Sequence, residues 1–128
     1  MWHQELIEKL PREQLLGQHR ECCALRGKGW GKKHSTVDYV FKYKIERLVS
    51  FHKVVMEEME KRGYNVSSEW FDCYYRGKSF GYDYSLSPEI VDDIYKSKQL
   101  IYLEHDKAYL KECIENLRKK GVVCRYFE

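Results

Sequence analysis

Arg20 and Glu21 stand side by side inside a stretch with helical periodicity. Turned at about 100° per residue, Leu15, Leu16, Cys22, Cys23 and Leu25 fall on one broad side with His19 among them. That side is the expected core face. Gly17, Arg20, Glu21 and Ala24 fall on the other side, and Gln14 borders them. A glycine inside a helix costs up to about 1 kcal/mol relative to alanine, so Gly17 calls for an explanation. Small residues one turn either side of a carboxylate leave room for a ligand or another chain to approach the backbone. A carboxylate in such a recess can relay protons or stabilise a cation. A helix–helix contact carrying a surface Arg20–Glu21 ion pair would use the same residues.

A second candidate follows directly. Gly27-Lys28-Gly29-Trp30-Gly31-Lys32-Lys33-His34-Ser35-Thr36 is glycine-rich and basic. Such a loop can offer backbone N–H groups and ammonium groups to phosphates. It is not a nucleotide-triphosphate loop, because neither Gly-Lys in it is followed by serine or threonine. The one Gly-Lys-Ser, Gly77-Lys78-Ser79, has Asp72 where the motif needs its first glycine. Trp30 would stack on a base or anchor the loop. Arg26, Lys28, Lys32, Lys33 and His34 form a cluster without an acid, and Arg118-Lys119-Lys120 form another. Each serves equally as a solvated face or as a phosphate contact. The five cysteines include no CxxC pair, and no two histidines stand four apart. Reduced core cysteines are expected, with no metal, no disulfide and no cofactor.

The elements that must position these residues read as helices. Pro11 opens a helix over 12–26, and the glycines from Gly27 end it. A long second helix is expected over 38–62, carrying Phe41, Ile45, Leu48, Val49, His52, Val55, Met56 and Met59 at helical spacing and stopped by Gly63. Ser87-Pro88-Glu89 starts a third, with serine as the cap. A fourth spans about 106–120. Between the second and third, residues 70–84 hold seven aromatic residues with Gly77 and Gly81. This is too aromatic for a linker, so an ordered loop wrapped on the helices is expected. The fold class is therefore all-α: a compact domain of three to four helices with a long central helix.

Bulk properties agree. A chain of 128 residues is the size of one domain, 1–128, and 43% hydrophobic residues suffice for one core. No apolar stretch is long enough for a membrane span, and Met1-Trp2-His3-Gln4-Glu5 lacks the features of a secretory leader, so a cytoplasmic protein is expected. A formal net charge of +3 hints only weakly at a polyanionic partner.

Leu10-Pro11-Arg12-Glu13-Gln14-Leu15-Leu16-Gly17-Gln18-His19-Arg20-Glu21 resembles the first helix of the pyrimidine-dimer DNA glycosylases of the phage endonuclease V type, which carries an Arg-Glu pair at this point. Lys61-Arg62-Gly63-Tyr64-Asn65-Val66 is similar to the end of that family's second helix. His105-Asp106 before an amphipathic helix and the aromatic Arg125-Tyr126-Phe127 also match it. The resemblance implies a helical fold that binds double-stranded damaged DNA; no membrane or metal partner is expected, and a monomer is favoured. It implies an N-terminal α-amine that attacks the sugar to give an imine, a carboxylate that assists, and strand cutting by β-elimination. Carried over, the catalytic groups are the amine of Met1 and Glu21. Arg20 becomes a phosphate contact, and Gln14, Gly17, Arg26, Lys32, Lys33 and His34 complete the expected DNA-binding set.

Two departures stand out. The family exposes an N-terminal threonine after methionine removal, whereas Trp2 here is large enough to block that removal and leave Met1 in place. Ala24 occupies the place of a second family arginine. A non-catalytic nucleic-acid-binding protein on the same fold, and an unrelated helical interaction protein, are the alternative readings.

Overall fold

A computed structural model describes residues 1–27 and 38–121. The chain starts with a 3-10 turn, Gln4–Lys9, that buries Leu6 and Ile7. Helix α1 follows at Arg12–Arg26, directly after Pro11. Helix α2 is Ile45–Lys61, α3 is Pro88–Lys96 and α4 is Lys107–Lys119. No strand occurs among the described residues; Tyr75 and Tyr82 form one isolated antiparallel bridge. The all-α class is thus the observed one.

The expected Ser87 and Gly63 caps are present, and Asp106 caps the last helix as well. Ser87 Oγ accepts from the Ile90 N–H at 3.2 Å at the start of α3. Asp106 Oδ1 accepts from the Tyr109 N–H at 2.9 Å at the start of α4. Past the end of α2, Gly63 takes φ +83°, and the Tyr64 N–H reaches back to Met59 O at 2.9 Å. This left-handed stop suits a residue without Cβ.

One boundary differs. The long second helix begins at Ile45, not near residue 38. Asp38–Lys42 form a separate 3-10 turn, and Lys44 is extended. Periodicity misses this break because Val40 of the turn and Ile45 of the helix are both buried in one core.

Helix α2 crosses the middle of the molecule, packed against α1 and α3. Its Leu48, Phe51, Val55 and Met59 meet Leu15, Cys22 and Leu25 of α1 and Leu110, Cys113 and Leu117 of α4 in one cluster. Leu6, Ile7 and Leu10 of the first turn join it. That burial holds the start of the chain against α1, and with it Met1, whose side chain is fully buried. No helix among the described residues is long and apolar enough to cross a membrane.

The aromatic segment is ordered and folds back on itself. The Arg76 N–H donates to Gly81 O at 2.8 Å, and the Asp83 N–H donates to Tyr74 O at 2.8 Å. The segment docks on the C-terminal end of α1, where Arg76 Nε donates to Arg26 O at 2.6 Å.

Candidate active site

The α-amine of Met1 lies 3.6 Å from Glu21 Oε1. Both line a cavity of about 630 Å³, together with Trp2, Gly17, Gln18, Tyr39, Glu104, Tyr109, Glu112 and Lys120 among others. Such a volume suits a small-molecule-sized group. Three carboxylates face one ammonium and Lys120. Their balance favours a cation in the cavity and disfavours a phosphate, by like-charge repulsion.

Glu21 does not pair with its neighbour Arg20. Arg20 is exposed and forms no ion pair with a described residue. The surface-pair reading of this helix therefore does not describe the observed contacts.

Gln18 is the hinge of the arrangement and is only 2% exposed. Its Oε1 accepts from the Trp2 N–H at 2.7 Å. Its Nε2 donates to Glu21 Oε1 at 3.0 Å. One carboxamide therefore ties the first peptide of the chain to the carboxylate one helical turn further on. On the other side, the Tyr109 hydroxyl donates to the Met1 carbonyl in a short hydrogen bond.

A buried aromatic network backs this contact. The Gln4 N–H donates to His105 Nδ1 at 3.0 Å, so the neutral ring carries its proton on Nε2. That nitrogen sits 2.7 Å from the Tyr39 hydroxyl. Burial, the adjacent His3 and the chain's ammonium push His105 down to about 3. It is therefore neutral near pH 7. Burial also raises the Tyr109 hydroxyl well above the ordinary tyrosine range, so it is a hydrogen-bond donor at neutral pH.

Gly17 lies in the cavity wall. A Cβ there would meet only Arg20 Nη2, at 3.7 Å, an ordinary contact. The protein's own packing does not require glycine at this position. Gln14 is half-buried on α1 and Ala24 is exposed.

Arg26 is a correction. Expected to face DNA, it is fully buried. Its guanidinium donates to Trp70 O at 2.9 Å, Asp72 O at 3.0 Å and Tyr75 O at 2.8 Å, and stacks over the Trp70 ring. Burial without a carboxylate partner pulls it down to about 10. Its hydrogen bonds hold the aromatic segment to α1, and no surface remains for a phosphate. Lys32, Lys33 and His34 lie outside the described residues, as do Trp30 and Cys124.

A second cluster escaped the sequence reading, which compared histidines only with histidines. His19 and Cys23 stand four apart on α1 and meet His52 of α2, with one ligand atom from each lying within 4.8 Å of the others. These residue types suit a metal. Their lone pairs are already committed, however. Arg26 Nη1 lies 3.0 Å from His52 Nδ1, which puts that ring's proton on Nε2, 2.8 Å from His19 Nδ1. Cys23 Sγ is 3.8 and 3.7 Å from the two His19 nitrogens. It also lies 3.8 Å from His52 Nε2. Burial drives His52 far below the ordinary histidine range and pushes the Cys23 thiol up to about 11. The trio is a neutral hydrogen-bonded core pair beside a thiol.

Gln18 carried one signal in the sequence: it stands three residues before Glu21, on a neighbouring helical position. Tyr39 and Tyr109 carried none, since what joins them to the site is set between two distant segments, and His105 carried only its place in the family pattern. No curated protein and no solved structure matches the chain. A family model described as pyrimidine dimer DNA glycosylase matches residues 1–72. Those residues cover more than half of the chain and include Met1, Gln18, Glu21 and Tyr39. The chain belongs to the pyrimidine dimer DNA glycosylase family.

Proposed function

We propose that this chain is a DNA glycosylase with AP-lyase activity, that the Met1 α-amine is its nucleophile and Glu21 its assisting carboxylate, and that pyrimidine dimers in duplex DNA are its substrate. The observation that carries the reading is the Met1 amine, 3.6 Å from Glu21, in the wall of a cavity.

The chemistry follows from the groups present. An α-amine ordinarily titrates near 8, so a useful fraction is neutral at physiological pH. Glu21 stands ready to take the proton that the ammonium must lose. The amine's lone pair then attacks C1′ of the sugar, and the glycosidic bond breaks with its electrons leaving on the base. The sugar ring then opens: the C1′–O4′ bond breaks with its electron pair going to O4′, which takes a proton, and the nitrogen lone pair forms the C1′ iminium, a cation; Glu21, Glu104 and Glu112 face the space in which it would form. Loss of a C2′ proton expels the 3′ phosphate by β-elimination, and water then releases the amine. The acidic cavity would take the extruded nucleoside while phosphates stay outside it. Arg20 on the rim, with Lys32, Lys33 and His34 of the basic segment, are the proposed phosphate contacts. Gln14 and Gly17 border the strand's path.

The test is borohydride trapping on abasic and dimer-containing duplexes. Wild type forms a covalent adduct at Met1, and a chain with an N-terminal extension binds DNA without forming one. Glu21→Gln keeps its DNA affinity and loses strand cutting. The reading fails if wild type gives no adduct with either substrate. Equal cutting by Glu21→Gln removes Glu21 from the mechanism. Retained binding without any adduct would favour a non-catalytic DNA-binding protein.

A further inference from the structure

We propose that the Met1 side chain is the anchor that aims the α-amine, which makes it a positioning element of the site and requires a long apolar residue at position 1. The inference rests on the glycosylase–lyase reading above for its catalytic consequence, and on the observed contacts alone for the anchoring itself.

Two hydrogen bonds fix the peptide that follows Met1. The Tyr109 hydroxyl donates to the Met1 carbonyl, and the Trp2 N–H donates to Gln18 Oε1 at 2.7 Å. The Met1 Cα lies in the same peptide plane, so it is held as well. One torsion is left to the amine, rotation about the Met1 Cα–C bond. That rotation carries the nitrogen and the Cβ together, because both are bonded to Cα. A turn of about 60° moves the nitrogen by about 1.4 Å at standard bond lengths and angles. The nitrogen stands 3.6 Å from Glu21 Oε1, so a turn of that size would undo the arrangement.

The side chain beyond Cβ prevents that turn. It is 0% exposed and belongs to the cluster that holds Leu15 and Cys22 of α1 and Leu110, Cys113 and Leu117 of α4. Met1 as a whole is 8% exposed, so the exposure that remains belongs to its backbone, and the residue lines the cavity. Swinging the amine would drag the thioether chain through a close-packed interior. Alanine at this position keeps the amine and the Cβ but leaves the core nothing to grip. Leucine has nearly the volume of methionine and restores the grip. Residue 2 cannot serve instead. Its nitrogen is bonded to Gln18, and as a chain end it would sit on that carboxamide rather than beside Glu21. Hydrolysis of the Met1–Trp2 bond would therefore disable the site.

The test releases full-length chains from a cleavable N-terminal fusion, so that each begins at a defined residue: wild type, Met1→Leu, Met1→Ala, and a chain starting at Trp2. Single-turnover borohydride trapping on abasic duplex at saturating enzyme should slow tenfold or more in Met1→Ala, with a DNA dissociation constant within twofold of wild type. Met1→Leu should recover most of that loss, and the chain starting at Trp2 should be slower than either. Reductive methylation of the α-amine by formaldehyde and cyanoborohydride, without DNA, should speed up severalfold in Met1→Ala as the amine is freed, and return toward wild type in Met1→Leu; mass spectrometry reads it. If Met1→Ala melts below the assay temperature, Met1→Val replaces it under the same outcomes. Trapping at the wild-type rate in Met1→Ala, or in the chain starting at Trp2, overturns the positioning role. Methylation unchanged in Met1→Ala, or no recovery in Met1→Leu, overturns the anchor. If wild type traps no DNA at all, the enzyme reading falls, and the methylation contrast still decides the anchor.

Discussion

Gln18→Met isolates what the buried carboxamide does. Methionine keeps the length and most of the volume, so the site between α1 and the first turn stays filled. Two hydrogen bonds are lost: the one accepted from the Trp2 N–H at 2.7 Å and the one donated to Glu21 at 3.0 Å. A bond to an ionised carboxylate contributes about 1.5–3 kcal/mol, and a buried amide left without a partner costs about 1–3 kcal/mol. Part of this is recovered where water reaches Glu21, whose side chain is 37% exposed. The net loss should be roughly 2–4 kcal/mol. A domain of this size has about 5–15 kcal/mol in hand, so the variant folds, with Tm lowered by roughly 10 °C. The kinetic effect should exceed the stability effect. Misplacing a reacting group by about 1 Å can cost on the order of 100-fold, and Gln18 fixes the distance between amine and carboxylate. Trapping at saturating abasic duplex, well below the variant's Tm, should therefore slow about 100-fold. A variant whose Tm falls as expected but whose trapping rate stays within twofold of wild type would refute the argument. Gln18 would then be a structural strut alone.

Arg26 and the buried histidines give two further tests. Arg26→Met leaves the carbonyls of Trp70, Asp72 and Tyr75 without their donor. It should cost roughly 3–5 kcal/mol and raise amide exchange first across residues 70–84, while the salt dependence of DNA binding stays unchanged; a shallower salt slope would show that Arg26 meets phosphate after all. His19, His52 and His105 all titrate below the ordinary 6.5 in the folded state, His105 near 3. The unfolded chain therefore binds more protons below pH 6.5, so stability is fully present above that pH and declines as pH falls toward 3, by up to about 1.4 kcal/mol per pH unit for each histidine. Denaturant titrations between pH 7 and 4 measure it, and His105→Gln should flatten the slope; a wild-type stability flat over that range would contradict the neutral buried rings.

Local signals in the chain reached the helices and half of the site. Pro11, Gly63 and Ser87 act within one turn of where they stand, so helix starts at 12 and 88 and the stop after α2 were legible from residue type. The two faces of α1 were legible for the same reason: helical geometry places Glu21 beside Gly17 without reference to any other element. The break before Ile45 was not legible, because the turn and the helix bury side chains in the same core and leave the periodicity intact. Arg26 was misjudged by charge. A guanidinium goes inside only where several carbonyls converge, and those of Trp70, Asp72 and Tyr75 converge after the aromatic segment has folded back some fifty residues further along.

Sequence by itself determined that this chain is helical, that Glu21 sits opposite an apolar stripe, and that its first helix resembles that of a DNA glycosylase family. These are properties of short segments, governed by bonds and contacts within a few residues. The family resemblance implied the Met1 amine as the partner of Glu21, but the contact that brings the two together is set by tertiary structure. The choice of the Met1 amine over Arg20 depends on a buried Met1 side chain, on Gln18 reaching two elements at once, and on a tyrosine from α4 closing over the first peptide. Those contacts join positions up to 108 residues apart. Packing of α4 and the first turn against α1 and α2 brings them together, and no spacing within one segment encodes it.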